Sequence, residues 1–493
     1  MLKRLVIVIF IMFGAFLSFS LYRTFAYDTS VVEETPSTTD LEYTFKIGNS
    51  SIKQITVDSG ETKYYDVVLG NPNPAKISYG VYYEMVSPST KPDGFSIEYT
   101  SKSTGESTGK VGKEGNITLN LVVTNTSSSS VTVKLGTVAG YVNGGDLELS
   151  SNQEFIPKKK FPKATELVES LNDNSTGDSG SGVYKVHHDA IPASSSATGE
   201  IIEATDDYRY YGASPNNYIC LDNSTGTCED RHLYRIIGSM REDSDGTYKV
   251  KVVKATPLTD GTTSEFSYDC KGSGSSVKLL ASEISSCIIS ECDDSTYVWH
   301  SSSQDSSLMQ LLNGMWMNDK MGSIFNNSSI TTNINFSNFG LSVSAKKSIN
   351  NGSRYYLGGM SSSYNRLSEL VYIEERSIRS GNINSNYWEG IVGLIYLSDY
   401  GYASGNKCYN DICLDNNSAE CVSSNWLHNN NYIWTISISS SNYTVMAISS
   451  SGNAYSGCTY ETYKVYPSFY LTSNTLISGG DGSLNNPYTI TLE

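Results

Sequence analysis

The sequence predicts a mainly β protein, in which an N-terminal antiparallel β-sandwich is followed by a disulfide-bearing α+β module. Three observations lead to this prediction. Short apolar runs alternating with polar residues fill positions 40–157, the composition shifts after residue 206 towards Tyr, Ser, Asn and Gly, and all nine cysteines lie beyond residue 200. With 38% hydrophobic and 17% charged residues, the 493-residue chain is typical of a globular protein of two or three domains.

The N-terminal segment predicts export. Lys3 and Arg4 precede a nearly unbroken apolar run over residues 5–22, and the small residue Ala26 follows where a signal peptidase would cleave. The run is also long enough to cross a bilayer, so residues 1–30 are either a signal peptide or an N-terminal membrane anchor. Both alternatives predict an extracellular chain, secreted or anchored at the cell surface, that touches the membrane only through this segment.

Seven runs of period-two or β-branched character predict an immunoglobulin-like sandwich over residues 40–157. Turn sequences such as Asn-Pro-Asn-Pro at 71–74 and Lys-Pro-Asp-Gly at 91–94 separate the runs. Since this part has no cysteine, apolar burial must hold its two sheets together. The predicted strands cover residues 42–47, 51–57, 64–69, 77–86, 95–99, 117–123 and 131–142.

Residues 158–205 are predicted to be a linker with a short helix. A helical pattern at 164–171 leads into a polar Gly, Ser and Asp segment at 172–182, which has little apolar surface to bury. Beyond the linker, residues 206–493 predict an α+β module in which strands dominate. Its predicted strands cover 233–240, 248–253, 388–396, 432–438, 443–448 and 465–471, and its predicted helix covers 307–317.

The cysteines of an exported chain are predicted to form disulfides rather than metal thiolates, because the extracellular compartment is oxidising. The short spacings between cysteines predict three local disulfide pairs. The candidates are Cys220 with Cys228, Cys287 with Cys292, and Cys408 with either Cys413 or Cys421.

The sequence contains no complete catalytic motif of the kinds considered. The pentapeptide Gly-Asp-Ser-Gly-Ser at 177–181 matches a serine-protease nucleophile motif, but that family places its His before the Ser, and the first histidine here is His187. The sequence also lacks a His-Glu-x-x-His zinc motif, a phosphate loop and a dinucleotide fingerprint. It therefore predicts no catalysis, no cofactor and no metal. A net charge of −16 argues against nucleic acid as a partner, because phosphate binding needs clustered Lys and Arg.

Several sequence blocks carry family resemblances. Leu-Tyr-Arg-Ile-Ile-Gly at 233–238, Val-Gly-Leu-Ile-Tyr-Leu at 392–397 and Tyr-Pro-Ser-Phe-Tyr-Leu at 466–471 make residues 206–493 resemble a module of uncharacterised exported proteins of Gram-positive gut bacteria. That module is similar to C-type-lectin-like and formylglycine-generating-enzyme-like domains, which implies their fold but no activity. The Glu-Pro-Asn and Gln-Pro-Asp tripeptides of calcium-dependent lectins are absent.

The N-terminal part carries a second resemblance. Through Val-Val-Leu-Gly-Asn-Pro at 67–72, residues 27–157 are weakly similar to camelysin-like and biofilm-matrix β-sandwich proteins. This similarity implies a stalk or assembly role.

The mixture of Tyr, Ser, Gly and Asn beyond residue 206 is the one that antibody paratopes use for rigid aromatic contacts and adaptable hydrogen bonds. It favours an adhesin-like binding protein whose ligand is a glycan or a protein on a host or neighbouring cell. Trp and Tyr combine a flat apolar face with a polar edge, which suits such ligands. The candidate ligand-binding residues are Trp388, Tyr400, Tyr402, Trp426 and Trp434, and Trp426, between Asn425 and His428, is predicted to be the most exposed.

Two alternatives stay open at this point. A structural biofilm-matrix or wall-associated protein would self-associate through the edges of the sandwich sheets. An exported enzyme of unknown reaction would need a deep polar pocket or a reactive cysteine in the C-terminal module.

Overall fold

The structure, a computed structural model, describes residues 44–47, 54–100, 102–141, 147–172, 176–269, 299–300, 305–319, 335–360, 366–378, 386–406, 408, 414–439 and 444–493. The predicted export segment and the candidates Cys287, Cys292 and Cys413 lie outside these ranges. The described chain is mainly β, as predicted, with several antiparallel sheets. It divides into two compact units, residues 1–160 and 161–493. Within the described ranges, no helix is long and apolar enough to cross a membrane.

The described part of the first unit consists of two antiparallel sheets. One has the strand order β1-β3-β7-β5, and the other has the order β2-β8-β4-β6 with β9 beside β4. The strands are β1 Thr44–Ile47, β2 Gln54–Val57, β3 Glu61–Gly70, β4 Ile77–Ser87, β5 Phe95–Tyr99, β6 Thr108–Val111, β7 Asn116–Asn125, β8 Val131–Tyr141 and β9 Gln153–Phe155.

Apolar alternation produces the core of the first unit. Successive residues of a strand point to opposite faces, so every second side chain of β2 and β5 is buried. Val57, Leu69, Val81, Leu119 and Leu135, which come from both sheets, are fully buried in one hydrophobic cluster. All seven predicted strands are present. The sequence prediction missed β6 and β9, because β6 buries only its last residue and β9 is three residues long.

Buried asparagines satisfy the backbone where strands of the first unit end. The Asn71 side chain donates to the carbonyl oxygens of Ala75 at 2.8 Å and Gly112 at 2.9 Å. The Asn125 side chain donates to those of Val57 at 2.9 Å and Ser129 at 2.8 Å. These bonds close the turns without placing a charge in the core.

The second unit is built around an eight-stranded sheet. Its path is β10-β11-β13-β12-β24-β23, and β14 pairs with β13 and β22. Smaller sheets are β15-β21, β16-β17 and β18-β19-β20. The strands are β10 Gly182–His188, β11 Thr205–Tyr211, β12 Tyr218–Cys220, β13 Leu233–Glu242, β14 Thr247–Lys254, β15 Phe266–Ser267, β16 Ser353–Tyr356, β17 Tyr387–Gly390, β18 Ile433–Ile438, β19 Thr444–Ile448, β20 Ala454–Cys458, β21 Thr462–Tyr463, β22 Ser468–Tyr470, β23 Thr475–Gly479 and β24 Tyr488–Leu492.

Short helices pack around these sheets. They are α1 Ala164–Ser170, α2 Ser307–Gln310, α3 Val343–Lys347, α4 Ser368–Glu375, α5 Leu397–Tyr402 and α6 Ala419–Ser423. The helix predicted at 307–317 begins as α2 and continues as a π-helix over Leu311–Trp316. The Ser306 hydroxyl accepts from the Met309 amide at 3.2 Å and caps α2.

The structure corrects two predictions about the second unit. The expected linker at 158–205 contains the expected helix, α1, but also β10, which pairs with β11 along its whole length and buries Val183 and Val186. The polar stretch at residues 176–181 is therefore a loop leading into the main sheet. The strand expected at 388–396 is also wrong in extent, since only β17 forms there and α5 begins at Leu397.

Candidate binding site

A chain of ion pairs lies in the core of the second unit. Arg209 donates from Nε and Nη2 to Oδ2 of Asp207, at 3.1 and 2.7 Å, and from Nη1 to Oδ1 of Asp399 at 2.9 Å. Lys251 Nζ donates to the other oxygen of Asp399 at 2.6 Å. Burial alone would raise the pKa of both aspartates, but the basic partners outweigh burial and hold both pKa values below their usual range. All four side chains are buried.

His188 extends this network. Its Nε2 lies 3.1 Å from Oδ2 of Asp207, and its Nδ1 lies 2.9 Å from Oε2 of Glu369. The imidazole stacks on the Tyr372 ring, with 3.6 Å between ring centroids, and Tyr402 donates its hydroxyl to Glu369 at 2.5 Å. Carboxylates only accept hydrogen bonds, so both ring nitrogens can donate together only when the imidazole is protonated.

Glu375 is a further buried carboxyl, and its neighbours are two hydroxyl groups and the Arg376 guanidinium, whose Nη1 lies 3.7 Å from Oε2. Ser398 and Ser437 each donate a hydroxyl to it at 2.5 Å. Burial raises its pKa above the usual value. The neighbouring Arg376 guanidinium lies 3.4 Å from the centroid of the Tyr372 ring.

These buried side chains form their hydrogen bonds and ion pairs mainly with one another. None of them lines any of the three cavities described below. Their arrangement joins β10, β11 and β14 to α4 and α5, which matches a structural role: buried charges that must find specific partners favour one packing over others.

A cavity of about 210 Å³ lies elsewhere in the second unit, beside Trp426. Arg235 on β13 and Lys254 on β14 contribute its basic side chains, and the chain following α6 contributes Trp426 and His428. The rest of the lining is Val253, Ala255, Ile395, Leu427, Asn429, Ile433 and Tyr466. The cavity therefore has two basic side chains and no acidic one.

A larger cleft of about 780 Å³ adjoins this cavity and shares Arg235, Trp426 and His428 with it. Amide and hydroxyl side chains dominate the remainder of the cleft, and again none is acidic. They include Asn417, Ser423, Asn425, Asn430, Ser451 and Asn453.

Arg235 sits between two aromatic rings, 4.6 Å from the centroid of Tyr218 and 4.4 Å from that of Trp426. Its guanidinium donates to oxygens of Asn217, Trp426 and Pro215, at 2.8, 3.2 and 3.4 Å. Burial lowers its pKa to about 10.

Lys254 is 5% exposed and donates to the backbone oxygen of Asp230 at 3.0 Å and to the hydroxyl of Thr256 at 2.9 Å. Burial lowers its pKa to about 8. Among the described residues, neither Arg235 nor Lys254 forms a salt bridge.

Two disulfides support the elements around the site. Cys220–Cys228 joins the end of β12 to the following loop, and β12 pairs with the part of β13 that carries Arg235. Cys408–Cys421 fixes α6, whose residues line the cleft. The first predicted pair is thus confirmed, and Cys408 pairs with Cys421 rather than with Cys413. Cys458, which was not nominated, is also disulfide-bonded.

The five aromatic candidates do not form one site. Tyr400, Tyr402 and Trp434 are buried in the core, and the Trp434 indole donates to the Phe266 oxygen at 2.9 Å. Trp388 is partly buried and lines a third cavity of about 550 Å³ together with His300. Trp426 lines both the cavity and the cleft, but the expectation that it is exposed is wrong.

Trp426 is 6% exposed because its indole donates to the Tyr210 oxygen at 2.9 Å and one ring face contacts Arg235. Sequence reasoning missed Arg235 and Lys254. A single basic residue within a predicted strand does not indicate a binding site. Only the tertiary fold brings Arg235 and Lys254 to the cavity that Trp426 lines.

Among the described residues, no cluster of three or more His, Cys, Asp or Glu side chains is placed to hold a metal ion. Comparison with known protein families, with curated proteins and with solved structures finds no match to this chain.

Proposed function

We propose that this chain is an exported cell-surface binding protein of the adhesin type, which holds its ligand beside Trp426 without transforming it. The observation that carries the proposal is that the cavity and the cleft share Arg235, Trp426 and His428, so one ligand would contact both. In this proposal the first unit is an immunoglobulin-like β-sandwich and the second is a C-type-lectin-like module.

The rigidity of the site supports binding. The Trp426 indole is held by its hydrogen bond and by the Arg235 guanidinium, and Cys408–Cys421 fixes the helix beside it. A site whose side chains are already ordered loses less conformational entropy when a ligand binds.

The surroundings of His428 support a role without catalysis. Its Nε2 lies 3.0 Å from the Asn430 side-chain oxygen. Among the described residues, neither ring nitrogen is hydrogen-bonded to a hydroxyl or thiol group of the chain, as it would be in a general base that activates such a nucleophile.

A blocking substitution tests the proposal. Ser423 is exposed on α6 and lines the cleft. We expect Ser423→Trp to fill the cleft and to reduce binding of the full chain to a glycan array and to intact epithelial cells at least tenfold, with an unchanged melting temperature.

The matched control is Ser170→Trp. Ser170 is also an exposed helical serine, and each hydroxyl donates to the carbonyl three residues earlier, at 2.7 Å for Ser170 and 2.9 Å for Ser423. The control should bind as the wild type does. Equal binding by both variants would place the ligand site elsewhere.

A further inference from the structure

We propose that the cavity beside Trp426 receives the carboxylate of an acidic sugar, such as a uronic or sialic acid residue, at the end of a glycan. This inference rests on the proposed binding function and names the ligand class of the same site.

The first argument is charge. The chain has 51 acidic and 35 basic residues, yet the cavity is lined by Arg235 and Lys254 and by no Asp or Glu, and the adjoining cleft has no acidic residue either. A cationic concavity within an acidic chain selects for an anionic ligand. Nucleic acid is too large for this cavity, so a small anion remains.

The second argument is that both cations keep donors available. Arg235 donates only to neutral oxygens, and three of its five N–H groups are used. Lys254 uses two of its three N–H groups, also on neutral oxygens. A carboxylate between them would add charge-assisted hydrogen bonds, which are the strong ones.

Other polar groups at the cavity are compatible with an anion. His428 Nδ1 is buried with no hydrogen-bond partner among the described residues, and the Tyr466 hydroxyl accepts from the Asn429 amide. Burial lowers the pKa of Lys254 and outweighs the negative charge of Asp230, which favours the protonated amine.

The third argument concerns the source of the carboxylate. The cavity of about 210 Å³ is smaller than the roughly 300 Å³ at which pockets for drug-sized ligands begin, so it holds one ring-sized group. The adjoining cleft offers asparagine amides and serine hydroxyls, which match sugar hydroxyls better than the apolar side chains of a peptide. These features favour a glycan over a peptide C-terminus.

Calorimetric titration of the full chain with glucuronate, N-acetylneuraminate and glucose tests this inference directly. We expect at least one acidic sugar to bind tenfold or more tightly than glucose. Lys254→Met keeps the apolar stem but removes the charge, so it should abolish the preference for acidic sugars over glucose. Lys254→Gln serves if the Met variant is unstable.

Lys113→Met is the control, since it removes the same charge from an exposed lysine of the first unit. It should keep the preference. The affinity for glucuronate should also fall as the pH rises above about 8, because Lys254, with a pKa of about 8, loses its proton there. The affinity of the wild type for glucose should show no such fall with pH. The affinity of Lys254→Met for glucuronate should show none either.

Equal affinity for acidic and neutral sugars, or a preference that survives both Lys254 variants, would overturn the inference. So would binding of a peptide with a free C-terminal carboxylate but of no acidic sugar. In these cases the binding function itself still stands if Ser423→Trp abolishes cell binding, and it falls separately if that variant binds normally.

Discussion

The two units solve the problem of a stable core differently. In the described part of the first unit no Asp, Glu, Lys, Arg or His side chain is buried, and the buried residues with polar side chains, apart from three tyrosines, are Asn71, Asn73, Ser107, Asn125 and Thr137. The second unit buries Asp207, Arg209, Lys251, Glu375 and Asp399 among others. The first unit therefore depends on apolar area, whereas the second depends on specific partners, because a buried charge without its partner is strongly destabilising.

The tryptophans allow the two units to be followed separately. All five lie in the second unit, at positions 299, 316, 388, 426 and 434. Tryptophan fluorescence therefore reports unfolding of the second unit alone, while circular dichroism reports both.

The largest effect is expected from Asp399→Asn. This change removes the negative charge that both Arg209 and Lys251 contact. Arg209 keeps its ion pair with Asp207, but Lys251 loses the acidic partner that it has among the described residues. We expect a loss of about 3–5 kcal/mol in the free energy of unfolding of the second unit. Denaturant titration followed by tryptophan fluorescence measures it.

The control is Glu61→Gln in the first unit, which breaks the exposed ion pair with Lys63. It should leave both transitions unchanged. If Asp399→Asn changed stability as little as Glu61→Gln does, the stability of the second unit would not depend on its buried ion pairs.

Leu119→Ala tests the first unit. Leu119 is fully buried between its two sheets, so truncation leaves a cavity and should cost about 2–5 kcal/mol. The transition seen by circular dichroism should shift while the fluorescence midpoint stays constant. A shift of both would show that the units do not unfold independently.

Removal of Cys220–Cys228 by a double Cys→Ala substitution should have an intermediate effect. The disulfide closes a short loop, with a sequence separation of 8, and such a loop contributes roughly 2–3 kcal/mol. The fluorescence midpoint should fall. The first unit has no cysteine, so its transition should resist both this change and chemical reduction.

Trp426→Phe should have the smallest effect. It keeps an aromatic ring beside Arg235 but loses the hydrogen bond to the Tyr210 oxygen. A neutral hydrogen bond contributes about 0.5–1.5 kcal/mol, well below the expected cost at Asp399. If Trp426→Phe lowered the free energy of unfolding as much as Asp399→Asn does, then uncharged contacts would matter as much as buried ion pairs for the stability of the second unit.

The same comparison explains what the sequence can predict. In the first unit period-two and β-branched patterns located all seven expected strands, since strands such as β1, β2, β5 and most of β7 bury alternate residues. In the second unit the two strands of the hairpin β13-β14 were predicted, but the charged residues of the core were not. Asp399 is 190 residues from Arg209 along the chain, and no local pattern marks such a pair.

The candidate site shows the same limit. Trp426 was selected because an aromatic ring suits ligands, and it lines both the cavity and the cleft. Its burial was missed, because the Arg235 that covers it is 191 residues away. Arg235 and Lys254 are close in the hairpin register, yet only the tertiary fold leaves their charges without acidic partners.

The pairing of β12 with β24 has a consequence for synthesis. β12 ends at Cys220, but its parallel partner begins only at Tyr488, so the main sheet of the second unit stays open until nearly all of the chain described here has been made. The first unit can fold long before then, since domains fold in order from the N-terminus. While the ribosome finishes the chain, the charged side chains destined for the second core are hydrated. These hydrated charges help to keep the unfolded part of the second unit in solution. Each charged side chain is desolvated only when it forms its ion pair in the folded core.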